Sequence, residues 1–267
     1  MKKDEIPLII PNFNQMVYTI NLVNWWNYYT NNAPVFIVDN KSTYKPLLIF
    51  YKNVKNIWSN VEVIRYRVNN CGKNLTNLIR NKINPHYKYY CISNPDIMPH
   101  PTTPENFLDI FKHCIEKYEY HRVGFALRIN DLPDYITNTQ LILKRQSDFY
   151  DKRKRVYVEY GDKNYKGHKA PIDLTFAMYS SENGGWIFPY NSRTKWNNAL
   201  RLFTAYHLEW YIDPNTRSEE TDYYYKTATQ REEKYITGIK VKGVNSYRPN
   251  KKYEKYVKQN ETFHRAK

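Results

Sequence analysis

The sequence predicts an α/β protein: a mostly parallel sheet flanked by helices, followed by an irregular C-terminal half. Three observations lead there. Short apolar runs alternate with helically spaced segments over the first 130 residues, and a cluster containing Asn or Asp follows each of the first four runs. After Asp131 the pattern changes to a polar, Tyr-rich, charged stretch from Asp148 to Lys169.

Taken in order, Ile6 to Pro11 reads as a first strand and Met16 to Tyr29 as an apolar-rich helix. Pro34 to Val38 is a second strand. It breaks at Asp39-Asn40-Lys41-Ser42-Thr43, turn and capping residues that precede a helix over Lys45 to Val54. Val61 to Val68 is a third strand, Asn69 to Asn74 a loop into a helix ending near Ile83, and Tyr87 to Ser93 a fourth strand. Pro104-Glu105 opens a helix to about Tyr118, because Pro costs nothing in a first turn whose N–H groups lack partners. Arg122 to Ile129 is a fifth strand. Beyond it, Leu174 to Tyr179 reads as a strand, Trp196 to Ala205 as a helix and Glu219 to Thr229 as a further helix.

The chain has 267 residues, 41% of them hydrophobic, which supports a single domain over 1–247 with a basic tail over 248–267. Within the domain, 1–130 and 131–247 read as two functional halves. A mean hydropathy of −0.80 reflects the 27 Tyr and many Asn and Lys, and the Tyr still pack as aromatics. Cys71, Cys91 and Cys114 form no CxxC pair, which excludes a disulfide framework and a structural zinc site. No apolar run approaches the roughly 20 residues that span a bilayer. The start, Met1-Lys2-Lys3-Asp4-Glu5, lacks a signal-like apolar region, so a soluble, cytoplasmic protein is expected. The net charge of +15 attracts an anionic partner: nucleic acid, an acidic membrane surface or a phosphorylated small molecule. The Lys, Asn, Ile and Tyr bias also matches translation from an AT-rich genome, a second origin for that charge.

In open α/β sheets ligands bind beyond the carboxyl ends of the strands, where strand order reverses. The polar clusters fall at those ends: Asn12-Phe13-Asn14, Asp39-Asn40, Asn69-Asn70 and Asn94-Pro95-Asp96. Each alone suits a cap or turn; four in succession suit one polar ligand.

These segments resemble nucleotide-sugar glycosyltransferases of the GT-A fold, close to the family 2 type. The residues concerned are Ile9 to Asn14, Val38 to Ser42, Asn70 to Arg80 and Ser93 to Pro99. Val123 to Pro133, Ala170 to Ala177 and Tyr206 to Tyr211 look like segments of a bacterial and large-virus branch. A viral member would work in the host cytoplasm or virion.

The resemblance implies transfer of a sugar from a nucleotide diphosphate sugar, UDP foremost, to a hydroxyl of a glycan, lipid or protein, with inversion. It implies a Mn²⁺ or Mg²⁺ cofactor held by a DxD-type motif after the fourth strand. Here that motif reads Asn94-Pro95-Asp96, so Asp96 is its one strong ligand. His207 matches a position where relatives place a histidine near the metal or diphosphate. Pro11, Asn12, Asn14, Asp39, Asn70, Lys73 and Arg201 are the remaining expected nucleotide contacts, with Arg80 another candidate cation. Asp39 would accept from a pyrimidine N3–H. Asp173 is the expected general base, with capping of a turn after Pro171 as its structural alternative and Glu219 and Glu220 as runners-up. Asp131 and Trp210 are expected at the acceptor or sugar, whereas Trp25 and Trp26 are read as core.

The sequence also suits two other function classes. The charge and the Tyr content suit a nucleic-acid-binding protein, although no RNP-like pattern, GXXG loop, zinc finger or helix-turn-helix signal is present. Asn94 suits an inactive relative that binds a nucleotide sugar. The basic tail suits peripheral contact with an anionic surface.

Overall fold

A computed structural model describes residues 5–135, 139–147, 149–172, 175–182, 198–213 and 215–228. The elements are β1 (Leu8–Asn12), α1 (Val17–Thr30), β2 (Val35–Asp39), α2 (Lys45–Ile57), β3 (Val61–Arg65), α3 (Cys71–Leu78, continued by a π-helical turn over Ile79–Ile83) and β4 (Tyr89–Ile92). They continue with β5 (Ile97–Pro99), α4 (Phe107–Lys117), β6 (Arg122–Leu127), α5 (Thr139–Ser147), β7 (Arg155–Tyr160), β8 (Lys163–Lys169), β9 (Ala177–Ser180), β10 (Ala199–His207) and α6 (Glu219–Thr227).

Helix spacing explains why the flanking segments coil. In α1 the buried residues are Thr19, Leu22, Val23 and Trp26, and in α2 they are Leu47, Phe50, Tyr51 and Val54, each set recurring every three or four residues. Asn31, in the left-handed region at φ 49°, ends α1, a conformation that Asn tolerates better than most residues. Strands β1, β2 and β4 are buried along their whole length, as expected of parallel strands covered on both faces. Alternation along them divides the core in two. Leu8, Ile10, Val35 and Ile37 join the side chains of α1, α2 and α4, whereas Ile9, Phe36 and Val38 join Leu75, Leu78 and Ile79 of the α3 side. Trp25 and Trp26 are core, with Trp25 packed among Tyr29, Phe107, Phe125 and Phe176.

The sheet runs β3-β2-β1-β4-β9-β6-β10-β8-β7, and β5 also pairs with β10. β1 lies parallel to both β2 and β4, so strand order reverses between β1 and β4. β9 is antiparallel to β4 and to β6, and β6 is parallel to β10. Hence β1, β2, β3, β4, β6 and β10 end on one edge. Gly124 lets β9 lie close to β6, since a Cβ there would meet the Phe176 carbonyl oxygen at 2.2 Å.

Two expectations for the second half are corrected. The described part of the segment Trp196 to Ala205 is strand β10, because pairing with β6 on one side and β8 on the other overrides the helix preference of Ala and Leu. The stretch Asp148 to Lys169 contains a hairpin: β7 pairs antiparallel with β8 around Gly161, whose φ of 56° suits a residue without Cβ. Its Arg-Val-Tyr-Val-Glu-Tyr alternation is a strand pattern. The tail 248–267 lies outside the described residues.

Candidate active site

Two segments 111 positions apart form the centre of the site. β5 pairs antiparallel with the end of β10, Ile97 opposite His207 and Pro99 opposite Ala205. The Leu208 N–H donates to the Asp96 carbonyl at 2.8 Å, extending that pairing. His207 Nδ1 thereby comes within 3.3 Å of Asp96 Oδ2 at the carboxyl edge of the sheet. The imidazole lies flat on Trp210, centroids 4.7 Å apart and planes 7° from parallel, which fixes its orientation. His207 Nδ1 is buried and makes no hydrogen bond. A buried polar atom without a partner is costly unless something else satisfies it.

This pair fits a hard divalent cation. Neighbouring ligands of an octahedral ion with bonds of about 2.1 Å stand about 3 Å apart, close to the observed spacing. Among the described residues no three His, Cys, Asp or Glu side chains converge on one metal position, so the protein offers a pair of strong donors. Substrate phosphates and water supply the remaining ligands of such ions in many phosphate-handling sites.

Behind the pair lies a buried acidic layer. Glu209 accepts from Gln15 Nε2 at 2.8 Å, and its other carboxylate oxygen is buried without a hydrogen bond. Burial, reinforced by Asp96, raises its pKa well above the usual carboxylate range. Tyr18 and Tyr225 are raised for the same reasons, burial first and neighbouring carboxylates after it. Glu220 accepts from the Val17 N–H at 3.0 Å and caps α1, whose own N-cap residue, Met16, offers no side-chain bond. That capping role replaces the expectation of Glu220 as a general base.

At the strand ends of β1 and β2 most of the expected nucleotide contacts bond to the protein itself, while Asn12 Oδ1 is buried without a hydrogen bond. Asn14 is fully buried at φ 54°; its Oδ1 accepts from Thr43 N at 2.7 Å and Tyr44 N at 2.9 Å, and its Nδ2 donates to Thr227 at 2.9 Å. Asn12 donates to the Tyr51 hydroxyl at 2.8 Å, and Pro11 is buried beside it. Asp39 is fully buried and pairs with Arg65 at 3.1 Å, also accepting from Ser42 N at 3.3 Å. Asn70 caps α3 by accepting from Lys73 N at 3.3 Å, leaving Lys73 an exposed cation in the first turn. Asn94 is half-buried and Pro95 buried, both next to Asp96.

Arg201 is corrected. It sits six residues before His207 on β10, about 20 Å away along a strand. Its guanidinium is buried, donates to the Pro171 carbonyl at 2.8 and 2.5 Å and lies 3.8 Å over the Phe149 ring. It cannot reach a ligand at Asp96. Asp131 follows β6 at the carboxyl edge of the sheet, where Arg128 donates twice to Oδ2, at 2.9 and 2.7 Å, and Tyr211 to Oδ1 at 2.8 Å. Partial burial would raise its pKa, yet these bonds hold it below the ordinary value. Trp210 serves His207 as its stacking partner. Asp173 lies outside the described residues.

Arg65 and Glu209 lie at this edge without having been singled out in the sequence. The expected third strand runs past Arg65 to Val68, whereas β3 ends at Arg65, and nothing in the sequence marks the burial of Glu209.

Compared by sequence, the chain matches no protein-family model and no curated protein. Its structure is similar to S. aureus TarS 1-349, at 18% identity over 50% of this chain and 40% of that one, with a TM-score of 0.37. It is also similar to the mannosyltransferase PcManGT from Pyrobaculum calidifontis in complex with GDP-Man and Mn²⁺, at 13% identity over 74% and 51% of the two chains and a TM-score of 0.43. GalNAc-T7 with UDP, GalNAc and Mn²⁺ follows at 12% identity over 47% and 24%, TM-score 0.35. The matched regions thus span about half or less of these three proteins. No helix among the described residues is long and apolar enough to cross a membrane.

Proposed function

We propose that this protein is a glycosyltransferase of the GT-A type, moving a sugar from a nucleotide diphosphate sugar to an acceptor hydroxyl. The observation that carries the reading is the Asp96–His207 pair, 3.3 Å apart beside the point where strand order reverses. Asp96 and His207 would hold a divalent ion, Mn²⁺ or Mg²⁺, which neutralises the charge that builds on a departing diphosphate. Trp210 keeps the imidazole in position, and Lys73 adds an exposed cation on the same edge. Asp131, held ionised by Arg128 and Tyr211, offers its remaining lone pairs to hydroxyls of the sugar or acceptor. Asp173 remains the candidate base that removes the acceptor proton during inverting attack.

Thermal shift with UDP, GDP and CMP and their sugar conjugates, with and without Mn²⁺, tests this. A ligand that binds only the folded state raises apparent stability by mass action. We expect a Mn²⁺-dependent shift with a nucleoside diphosphate, lost in Asp96→Ala and His207→Ala. Absence of any nucleotide shift in the unaltered protein would reject the reading, and salt-sensitive RNA binding in its place would favour the charge as the functional feature.

A further inference from the structure

The ends of β2 and β3 carry an arrangement that changes how a nucleobase would be read, an inference that rests on the nucleotide-sugar reading above. Asp39 and Arg65 are the last register pair of the two parallel strands. Side-chain exposure separates them sharply: 0% for Asp39 and 51% for Arg65. Both carboxylate oxygens are engaged. Oδ2 accepts from Arg65 Nε at 3.1 Å, and Oδ1 accepts from Ser42 N at 3.3 Å and faces the Tyr51 hydroxyl at 3.5 Å. Tyr51 is itself pinned, accepting from Asn12 at 2.8 Å. A ligand N–H has no route to this carboxylate while Arg65 covers it.

We infer that Arg65, anchored through Nε by Asp39, is the group that meets the nucleobase, and that it favours bases presenting carbonyl oxygens over bases presenting amino groups. The guanidinium is a donor-only, permanently charged fork. Nε is spent on Asp39 and half of the side chain is exposed, and among the described residues the one further bond, from Nη2 to the Ser42 carbonyl, is at the 3.5 Å limit, so the terminal nitrogens keep donor capacity for a ligand. Uracil and guanine offer carbonyl acceptors to such donors, whereas cytosine and adenine place amino groups at the equivalent edge. Asp39 is then a positioning residue, and Arg65 is specificity-determining.

The test is titration of UDP, GDP, CDP, ADP and inorganic pyrophosphate, with Mn²⁺ present, into the unaltered protein, Arg65→Ala and Arg65→Lys. Binding of any nucleoside diphosphate by the unaltered protein supports the donor site independently of what Arg65 does. For Arg65 the expected result is a preference for UDP or GDP over CDP and ADP of about tenfold or more. Arg65→Ala removes most of that ratio while pyrophosphate affinity stays the same. Arg65→Lys keeps the charge without the fork and also flattens the ranking. The inference is overturned if the ranking survives in both variants, if CDP or ADP is preferred from the start, or if pyrophosphate affinity falls as far as that of the nucleotides. Should Arg65→Ala not fold, the Lys variant alone decides by the same ranking.

Discussion

Asn14 offers the sharpest separation of a binding role from a structural one. Its Oδ1 satisfies Thr43 N and Tyr44 N, which open α2, and its Nδ2 reaches Thr227 near the end of α6. Replacement by Ala removes three hydrogen bonds, at about 1 kcal/mol net each. It also places a β-carbon residue without a compensating side chain at φ 54°, for about 1 kcal/mol more. The expected loss is about 4 kcal/mol, a large part of the roughly 5 to 15 kcal/mol that holds a domain folded. Asn14→Gly loses the same bonds but not the left-handed penalty, so it should be less damaging than Ala by up to about 1 kcal/mol. Urea unfolding followed by Trp fluorescence measures both. A loss below about 1 kcal/mol in Asn14→Ala, or a Gly variant worse than Ala, would show that these bonds and this backbone do not set the stability of the edge.

Two further outcomes follow from groups that sequence reading placed at the ligand. Arg201→Ala should cost about 2 to 3 kcal/mol through the lost Pro171 bonds and Phe149 stacking, with nucleotide affinity of the folded fraction unchanged in a titration. Affinity loss at full stability would contradict the distance along β10. Burial raises the Glu220 pKa above its usual 4.5, with the Val17 and Met16 backbone bonds opposing, so the folded state holds its proton to higher pH than the unfolded state. Stability from this group is therefore present below about pH 4.5 and declines as pH rises through the folded pKa. Glu220→Gln should flatten that decline in unfolding midpoints measured from pH 4 to 8, and an unchanged slope would assign it to other groups.

How far the sequence reaches depends on the range of the forces involved. The first five expected strands and their helices were legible because burial on both faces writes itself as apolar runs, and one-sided burial as spacing of three and four. β10 was not, since Ala-Leu-Arg-Leu reads as helix until β6, β8 and β5 supply its partners. The β7–β8 hairpin was hidden by composition: its outward side chains are mostly charged, as at Arg155, Glu159 and Lys166, so only the Val156 and Val158 alternation marked it. At the site, residue types were readable but their commitments were not. Asp39 looks the same in a sequence whether its carboxylate faces a base or an arginine.

The β1–α1 loop shows why those commitments escape local patterns. Its polar groups are bound one after another by the C-terminal segment: Asn14 by Thr227, Gln15 by Glu209 and the Val17 N–H by Glu220. The separations in sequence are 213, 194 and 203 residues. None of these contacts is a pairing between strands, so none leaves a periodic trace. Together they tie the first strand end to the turn that carries His207 and Trp210. Glu220, which in the sequence looks like a candidate base, and Glu209, which nothing in the sequence marks, are thus both bonded to the β1–α1 segment and hold the two parts of the edge together.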